Sequence, residues 1–222
     1  MAARADKDRS RRLIWVEGKD DSAVVQSLCE FHALPEVFGV RGRAGVDDVL
    51  DNFYTELRAS GAERFGVIVD ADGNAQARWD SIRNTLREEG YADLPERLAP
   101  GGMIISAQPH RPTFGAWIMP DNGSPGALED FAAALVPDGD ALWRRAGQAV
   151  DGIPDQERRF PDVRRSKARI HTWLAWQEEP GSPMGQAIGK HDLDGNAPAA
   201  HRFVEWLRRL MVDEPAPADP PA

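Results

Sequence analysis

Apolar positions along the chain change their spacing several times, and each change marks an element. "RLIWVEG" is a short unbroken apolar run stopped by Gly18, the pattern of a buried strand. "KDDSAVVQSLCEFHAL" then places Val24, Val25, Leu28 and Phe31 at helical spacing. "PEVFGV" predicts a second short strand, and "VDDVLDNFYTELRAS" a helix through Val46, Val49, Leu50, Phe53 and Leu57 that Gly61 ends. "RFGVIVDAD" is the third strand. "NAQARWDSIRNTLREEG" is its helix, with Trp79, Ile82 and Leu86 on one face and Gly90 as the stop. Strands alternating with helices of this length predict parallel pairing through crossovers, hence an α/β fold with a mostly parallel central sheet flanked by helices.

The second half reads differently. "GGMIISA" and "FGAWIMP" predict two more strands across the short connection "QPHRPT", either paired antiparallel or flanking the sheet. Helices follow: "PGALEDFAAALVP", with Pro125 near a favoured first-turn position, then "DALWRRAGQAV", "SKARIHTWLAWQEE" and "PAAHRFVEWLRRLM". "DEPAPADPPA" is too rich in proline and too poor in apolar residues to pack. The expected division is a flexible arm over 1–10, an α/β core over 11–135, a helical extension packed on it over 136–212, and a disordered tail over 213–222.

With 222 residues, 41% of them hydrophobic, the chain has enough apolar surface for one sizeable core. No apolar run reaches the roughly 18 to 20 residues of a membrane helix, and "MAARADKDRSRR" lacks the apolar centre of a secretory signal, so no membrane contact and a cytoplasmic location are expected. The single cysteine, Cys29, sits among Val24, Val25 and Leu28 and reads as a small buried side chain. A net charge of −9 argues against nucleic-acid binding by bulk electrostatics. Positive charge is nonetheless concentrated at Arg9, Arg11 and Arg12, at Arg41 and Arg43, and in "ERRFPDVRRSKAR", runs that serve equally well as solvated surface or as a local basic groove.

Ligands of an open parallel sheet bind at the carboxyl ends of its strands, and the acidic residues fall there repeatedly. Glu17 closes the first strand, Asp70 and Asp72 close the third, and Asp121 follows "WIMP". Carboxylates gathered at one sheet edge raise one another's pKa unless a cation is present, and hard oxygen donors of this kind suit Mg²⁺ or Mn²⁺. Each has a plainer reading. Asp21 and its neighbour Asp20 suit a first helical turn, Asp72 or Asn74 suits a turn or helix cap, and Glu129 and Asp130 suit a solvated helix start. Glu17 has no such role, because it stands where the chain leaves a buried strand. An EF-hand is excluded, since its sixth and twelfth positions would be Ala75 and Ser81. No phosphate-binding P-loop or dinucleotide motif is present, and Cys29 with His32, His110, His171, His191 and His201 gives no zinc spacing. "VIVDADGN" also resembles the D-x-D-G-T motif of haloacid dehalogenase-like phosphatases, with Asn74 in place of threonine and the motif on the third strand rather than the first.

Strand-Glu17-Gly18-helix, then strand-helix, then strand-Asp70-x-Asp72 resembles the Toprim domain of topoisomerases, bacterial primases and overcoming-lysogenization-defect (OLD) nucleases. The likeness covers about residues 11 to 135, and "MPDNGSPGALEDF" with "SKARIHTWLAWQEEPGSPMGQAI" extends it toward a compact OLD-like prokaryotic family. What the resemblance implies is a Toprim-like core and a Mg²⁺-dependent nuclease that hydrolyses phosphodiesters of DNA or RNA with two metal ions. Glu17 takes the place of the Toprim glutamate, Asp70 and Asp72 of the D-x-D ligands, and Asp21 of the second acidic residue of the OLD E-x-x-x-E/D pattern. Asp121 and Glu129, or Asp130 in its stead, take the place of the later acidic ligands, and Lys167 that of the lysine. On this scheme Asp70 would bridge the two ions, Glu17 and Asp21 would complete one site, and Asp72 with Asp121 or Glu129 the other. Lys167 would offset charge in the transition state, and Lys19, Arg164 and Arg165 would hold flanking phosphates. A topoisomerase would need a nucleophilic tyrosine, and neither Tyr54 nor Tyr91 has a suggestive setting. The ATPase domain that usually precedes an OLD module is absent from this sequence, which raises a partner ATPase. The alternatives are a metal-dependent phosphatase or nucleotide hydrolase using the same carboxylates, and a non-catalytic nucleic-acid or nucleotide-binding subunit. For the latter, Trp173, Trp176, Trp206 and Phe203 would offer aromatic faces, although their helical spacing suits a core.

Overall fold

A computed structural model of the chain describes residues 11–59 and 61–213; the expected arm, 1–10, and positions 214–222 of the expected tail lie outside the described residues. Chain order is β1 (Arg12–Val16), α1 (Lys19–Phe31), β2 (Gly39–Gly42), α2 (Val46–Asn52), α3 (Tyr54–Leu57), β3 (Arg64–Asp70) and α4 (Ala75–Glu88). There follow β4 (Met103–Ile105), β5 (Thr113–Met119), α5 (Leu128–Ala133), α6 (Ala141–Asp151), α7 (Arg165–Leu174), α8 (Met184–Gly189) and α9 (Pro198–Met211). The strands form one five-stranded sheet in the order β2-β1-β3-β5-β4, parallel except for the antiparallel edge pair of β4 and β5. The expected α/β architecture is present.

Period-two alternation explains why both faces of the sheet are covered. Leu13, Trp15, Phe65, Val67, Val69, Ala116 and Ile118 face one core with α2, α3 and α4. Ile14, Val16, Ile68, Trp117 and Met119 face the other with α1 and the helices from α5 to α9. Residues 136–212 therefore share a hydrophobic core with the sheet. No helix among the described residues is long and apolar enough to cross a membrane.

Four local expectations differ from the structure. The second strand lies at Gly39–Gly42 instead of beginning at Pro35, because the Val37 N–H turns back to the Pro35 carbonyl at 2.8 Å. Gly42 then passes so close to the Gly18 carbonyl that a Cβ there would stand 2.9 Å from its oxygen. The helix expected over "VDDVLDNFYTELRAS" is two segments meeting at Phe53, whose fully buried ring lies 5.6 Å from that of Phe114. Pro125 is not in a first helical turn: α5 begins at Leu128, because Gly126, at φ +139°, exchanges two backbone hydrogen bonds with Asp72. The short α8 was not signalled by periodicity, being built from small residues. Its Gly185 approaches the Ala23 backbone so closely that a Cβ would stand at 2.8 Å.

Helix α9 closes the second core. Leu210 lies over Gly66 and Gly115, which are paired in register on β3 and β5. Its carboxyl end is held by two arginines that start adjacent strands: Arg12 Nη1 donates to the Met211 carbonyl at 3.0 Å, and Arg64 Nη1 to that of Leu210 at 2.7 Å. Cations at this end also complement the helix dipole. A Cβ at position 115 would lie 2.3 Å from Leu210 Cδ2, whereas one at Gly73 would meet nothing within 4 Å. Gly115→Ala should therefore lower unfolding free energy by about 1–3 kcal/mol in urea titrations, with Gly73→Ala nearly neutral. Equal stability of Gly115→Ala and wild type would contradict this seating of α9.

Candidate functional site

Parallel pairing brings the ends of β1, β3 and β5 to one edge, with Val16 opposite Ile68 and Asp70 opposite Met119. Glu17 leaves β1 there, and its Oε1 accepts the Asp70 backbone N–H at 2.8 Å. Asp70 is fixed from the other side, its Oδ1 accepting the Leu128 N–H at 3.0 Å. Asp21, in the first turn of α1, is buried and folds back toward this edge, so that a Cβ on Gly18 would lie 3.4 Å from its Oδ2. Glu129, in the first turn of α5, is also buried, and its Oε1 takes the Lys167 ammonium at 2.6 Å. The structure thus brings together Glu17, Asp21, Asp70, Glu129 and Lys167.

Electrostatics follow from that gathering. Burial pushes the Glu17 carboxyl above its ordinary range, with Asp21 and Asp72 adding to the rise against the hydrogen bond from Asp70. Asp21 is raised by burial, then by Glu129 and Asp20. Asp70 is pushed up to about 8, first by burial, then by the charges of Glu17, Asp21 and Glu129. Lys167, hydrogen-bonded to Glu129, is held above the usual lysine range.

The other sequence candidates lie elsewhere or in altered roles. Asp72 stands at the rim at φ +49°, largely exposed, and pairs with Arg78 at 2.7 Å. Asn74, not Asp72, caps α4, accepting the Ala77 N–H at 3.0 Å. Asp121 is turned into its own loop: Oδ1 accepts from Gly123 and Ser124, and Oδ2 from the Ser124 hydroxyl at 2.9 Å. Burial there opposes ionisation, but these hydrogen bonds outweigh it and hold the carboxyl below its usual range. Asp130 does not exchange with Glu129, since its oxygens are taken by the Ala127 N–H at 2.9 Å and the Ser166 hydroxyl. Lys19 and Arg164 are exposed and make no ion pair among the described residues, whereas Arg165 is bound to Asp151 and Asp162. Trp173, Trp206 and Phe203 are buried, which removes them as aromatic contact faces and leaves Trp176, 41% exposed. Arg78 was not foreseen. Its only sequence signal is a basic residue one turn into the helix that follows the two aspartates.

Donor chemistry fits a hard divalent cation: only oxygens are present, and backbone N–H groups use one oxygen of Glu17 and one of Asp70, leaving the second of each. Among the described residues, no group of three or more histidine, cysteine or acidic side chains is arranged to hold a metal ion.

Fold and site together define an α/β protein with a buried carboxylate cluster at the carboxyl edge of a parallel sheet. The family model described as "Protein of unknown function (DUF3226)" matches residues 11–212, and the chain belongs to that family. Comparisons with curated proteins and with solved structures give no match.

Without divalent cations, Asp70 keeps its proton in the folded chain up to about pH 8, whereas in the unfolded chain it releases it at about pH 4. The folded state binds the extra proton between those limits, so stability falls as pH rises through that window and levels off above it. Urea midpoints in chelator from about pH 5 to pH 9 should show this decline, and Asp70→Asn should flatten it. An equally steep decline in the variant would assign the effect to other groups.

Proposed function

We propose that the chain is a Mg²⁺- or Mn²⁺-dependent nuclease of the Toprim type, hydrolysing phosphodiester bonds of DNA or RNA. One observation carries the reading: four carboxylates from separate elements, Glu17, Asp21, Asp70 and Glu129, are packed into mutual repulsion at one sheet edge with a half-exposed lysine at its mouth. Burying acidic groups beside one another is costly unless a cation or protons compensate. Glu17, Asp21 and Asp70 would hold one ion, and Asp72 with Glu129 a second. Asp121 is not needed in this set. The ions would supply Lewis acidity toward the attacking water and the departing oxygen.

The chain's own groups divide the remaining work. Backbone N–H groups of Asp70 and Leu128 fix the orientation of Glu17 and Asp70, which limits reorganisation when charge moves. Lys167 is anchored on Glu129 with half its side chain in solvent, so its ammonium can meet a phosphoryl oxygen as negative charge develops. Lys19 and Arg164, exposed near the same mouth, would hold flanking phosphates, and Arg165 would not, being engaged by two aspartates. A partner ATPase would act by controlling access to this edge.

Purified protein incubated with supercoiled, linear and single-stranded DNA and with RNA should cut at least one of them with Mg²⁺ or Mn²⁺ and none in chelator. Glu17→Gln and Asp70→Asn should each lose roughly a hundredfold or more. Metal-independent cutting, or equal activity of Glu17→Gln and wild type, would end the nuclease reading. Asp70-dependent turnover of p-nitrophenyl phosphate without nucleic-acid cleavage would replace it with a phosphatase.

The two neighbouring arginines give a second test. Arg164→Gln should weaken binding of a nucleic acid in Ca²⁺ and lower its salt slope by about one, and Arg165→Gln should leave both unchanged. A larger effect at Arg165 would place the substrate path elsewhere.

A further inference from the structure

Arg78 sits in the first turn of α4 and reaches back to the loop that its helix leaves. Its Nε donates to the Asp70 carbonyl at 3.1 Å, and its Nη2 to Asp72 Oδ2 at 2.7 Å. The guanidinium is mostly covered, its side chain 19% exposed, while the carboxylate it holds is 61% exposed. Asp72's backbone is fixed by its two hydrogen bonds with Gly126, so only rotation of the side chain decides which cation the carboxylate meets. Beside them lies an open cleft of about 350 Å³, bordered by Ala71, Gly73, Asn74 and Ala77, with room for a displaced guanidinium. Two carboxylates of the edge thus each carry a built-in cationic cap, Lys167 on Glu129 and Arg78 on Asp72.

We infer that Arg78 is a positioning residue that competes with the divalent cation for Asp72: it holds this carboxylate at the rim before an ion is bound and releases it to the ion. The inference rests on the carboxylate edge being a divalent-cation site. The two caps differ in kind. Lys167 makes one contact and stands half in solvent, whereas Arg78 is also tied to the Asp70 carbonyl and so stays close after losing Asp72. Once released, its fork keeps one face for an anionic ligand, which couples entry of the cation to capture of the phosphate. Asp72 thus contributes a ligand whose use costs an ion pair. The site binds its rim cation more weakly than its carboxylate count alone would give.

Calorimetric titration of the full chain with Mn²⁺ tests this without relying on activity. Arg78→Gln, which keeps an N–H donor but removes the charge, should tighten Mn²⁺ binding by roughly threefold to tenfold, the size of one neighbouring unit charge at a half-exposed position. In an Asp72→Asn background the same substitution should give a clearly smaller gain, because the contested carboxylate is gone and only the Arg78 charge felt by Glu17 is left to remove. Unchanged or weaker binding by a normally melting Arg78→Gln protein overturns the inference, and so does an undiminished gain with Asp72→Asn. If Arg78→Gln does not fold, Arg78→Lys carries the test: a single ammonium cannot bridge both partners, so a smaller tightening is expected and none overturns it. Absence of Mn²⁺ binding in wild type and Arg78 variants alike, by contrast, overturns the cation-site reading itself.

Discussion

The hydrogen bond from the Asp70 backbone N–H to the Glu17 carboxylate ties the end of β3 to the end of β1, and the carboxylate edge depends on it. A hydrogen bond to a charged acceptor contributes about 1.5–3 kcal/mol, roughly twice a neutral one. It also removes freedom: Glu17 is no longer a mobile surface acid but part of the strand register. Asp70 is fixed in the same way by Leu128 N–H, and Leu128 opens the helix that carries Glu129. Two backbone donors thus place three acidic residues. Burial at this edge, and after it the charges of Glu17, Asp21 and Glu129, push the Asp70 carboxyl up to about 8 when no cation is present.

Positioning of this edge reaches far into the helical half. Lys167 comes from α7, and Ser166 beside it grips Asp130, the residue next to Glu129. Helix α9 packs its Leu210 onto the paired glycines of β3 and β5 and is clamped by Arg12 and Arg64 at the starts of β1 and β3. The face beneath the site is consequently covered in part by a helix that begins about eighty residues after the last strand it covers. An α/β core and a helical extension are not independent units here. Removing the helices would uncover Ile14, Val16, Ile68 and Trp117 together, apolar surface that a lone sheet could not leave in water.

What the sequence made legible follows its strongest local signals. Buried runs such as "RLIWV" and "FGVIV" can only be strands inside a layered fold, and an acid directly after such a run must emerge at a strand end, so Glu17 and Asp70 were readable. Asp121 follows its strand in the same way, yet Gly123 and Ser124 offer its carboxylate a closer set of donors than the site does. Choosing Glu129 over Asp130 depended on helix phase. One position faces the cluster and the next faces the cap, and a start three residues earlier, at Pro125, would have rotated both. The Asp72–Gly126 bridge that sets this phase joins residues 54 apart with backbone atoms alone, and backbone pairing of that kind leaves no side-chain signature. Arg78 was hidden for a related reason. Nothing in its neighbours tells whether an arginine on a polar helix face points to water or back to its own loop.

On the proposed reading, charge balance at the edge sets the condition under which an anionic substrate can bind. Among the described residues, the cations that form ion pairs with Glu17, Asp21, Asp70, Asp72 and Glu129 are Arg78 and Lys167, each held by one carboxylate. Left so, the edge repels a phosphate, and the chain's net charge of −9 offers no compensating field. Protons on the raised Glu17, Asp21 and Asp70 do not solve the problem, because Lys167 and Arg78 stay paired with Glu129 and Asp72. A divalent cation held by these carboxylates would change both terms at once, cancelling negative charge and drawing carboxylates from their cationic partners, so that Lys167 and Arg78 would gain capacity for a new anion. On the proposed reading the cation is therefore required for substrate binding as well as for chemistry, and it must bind first.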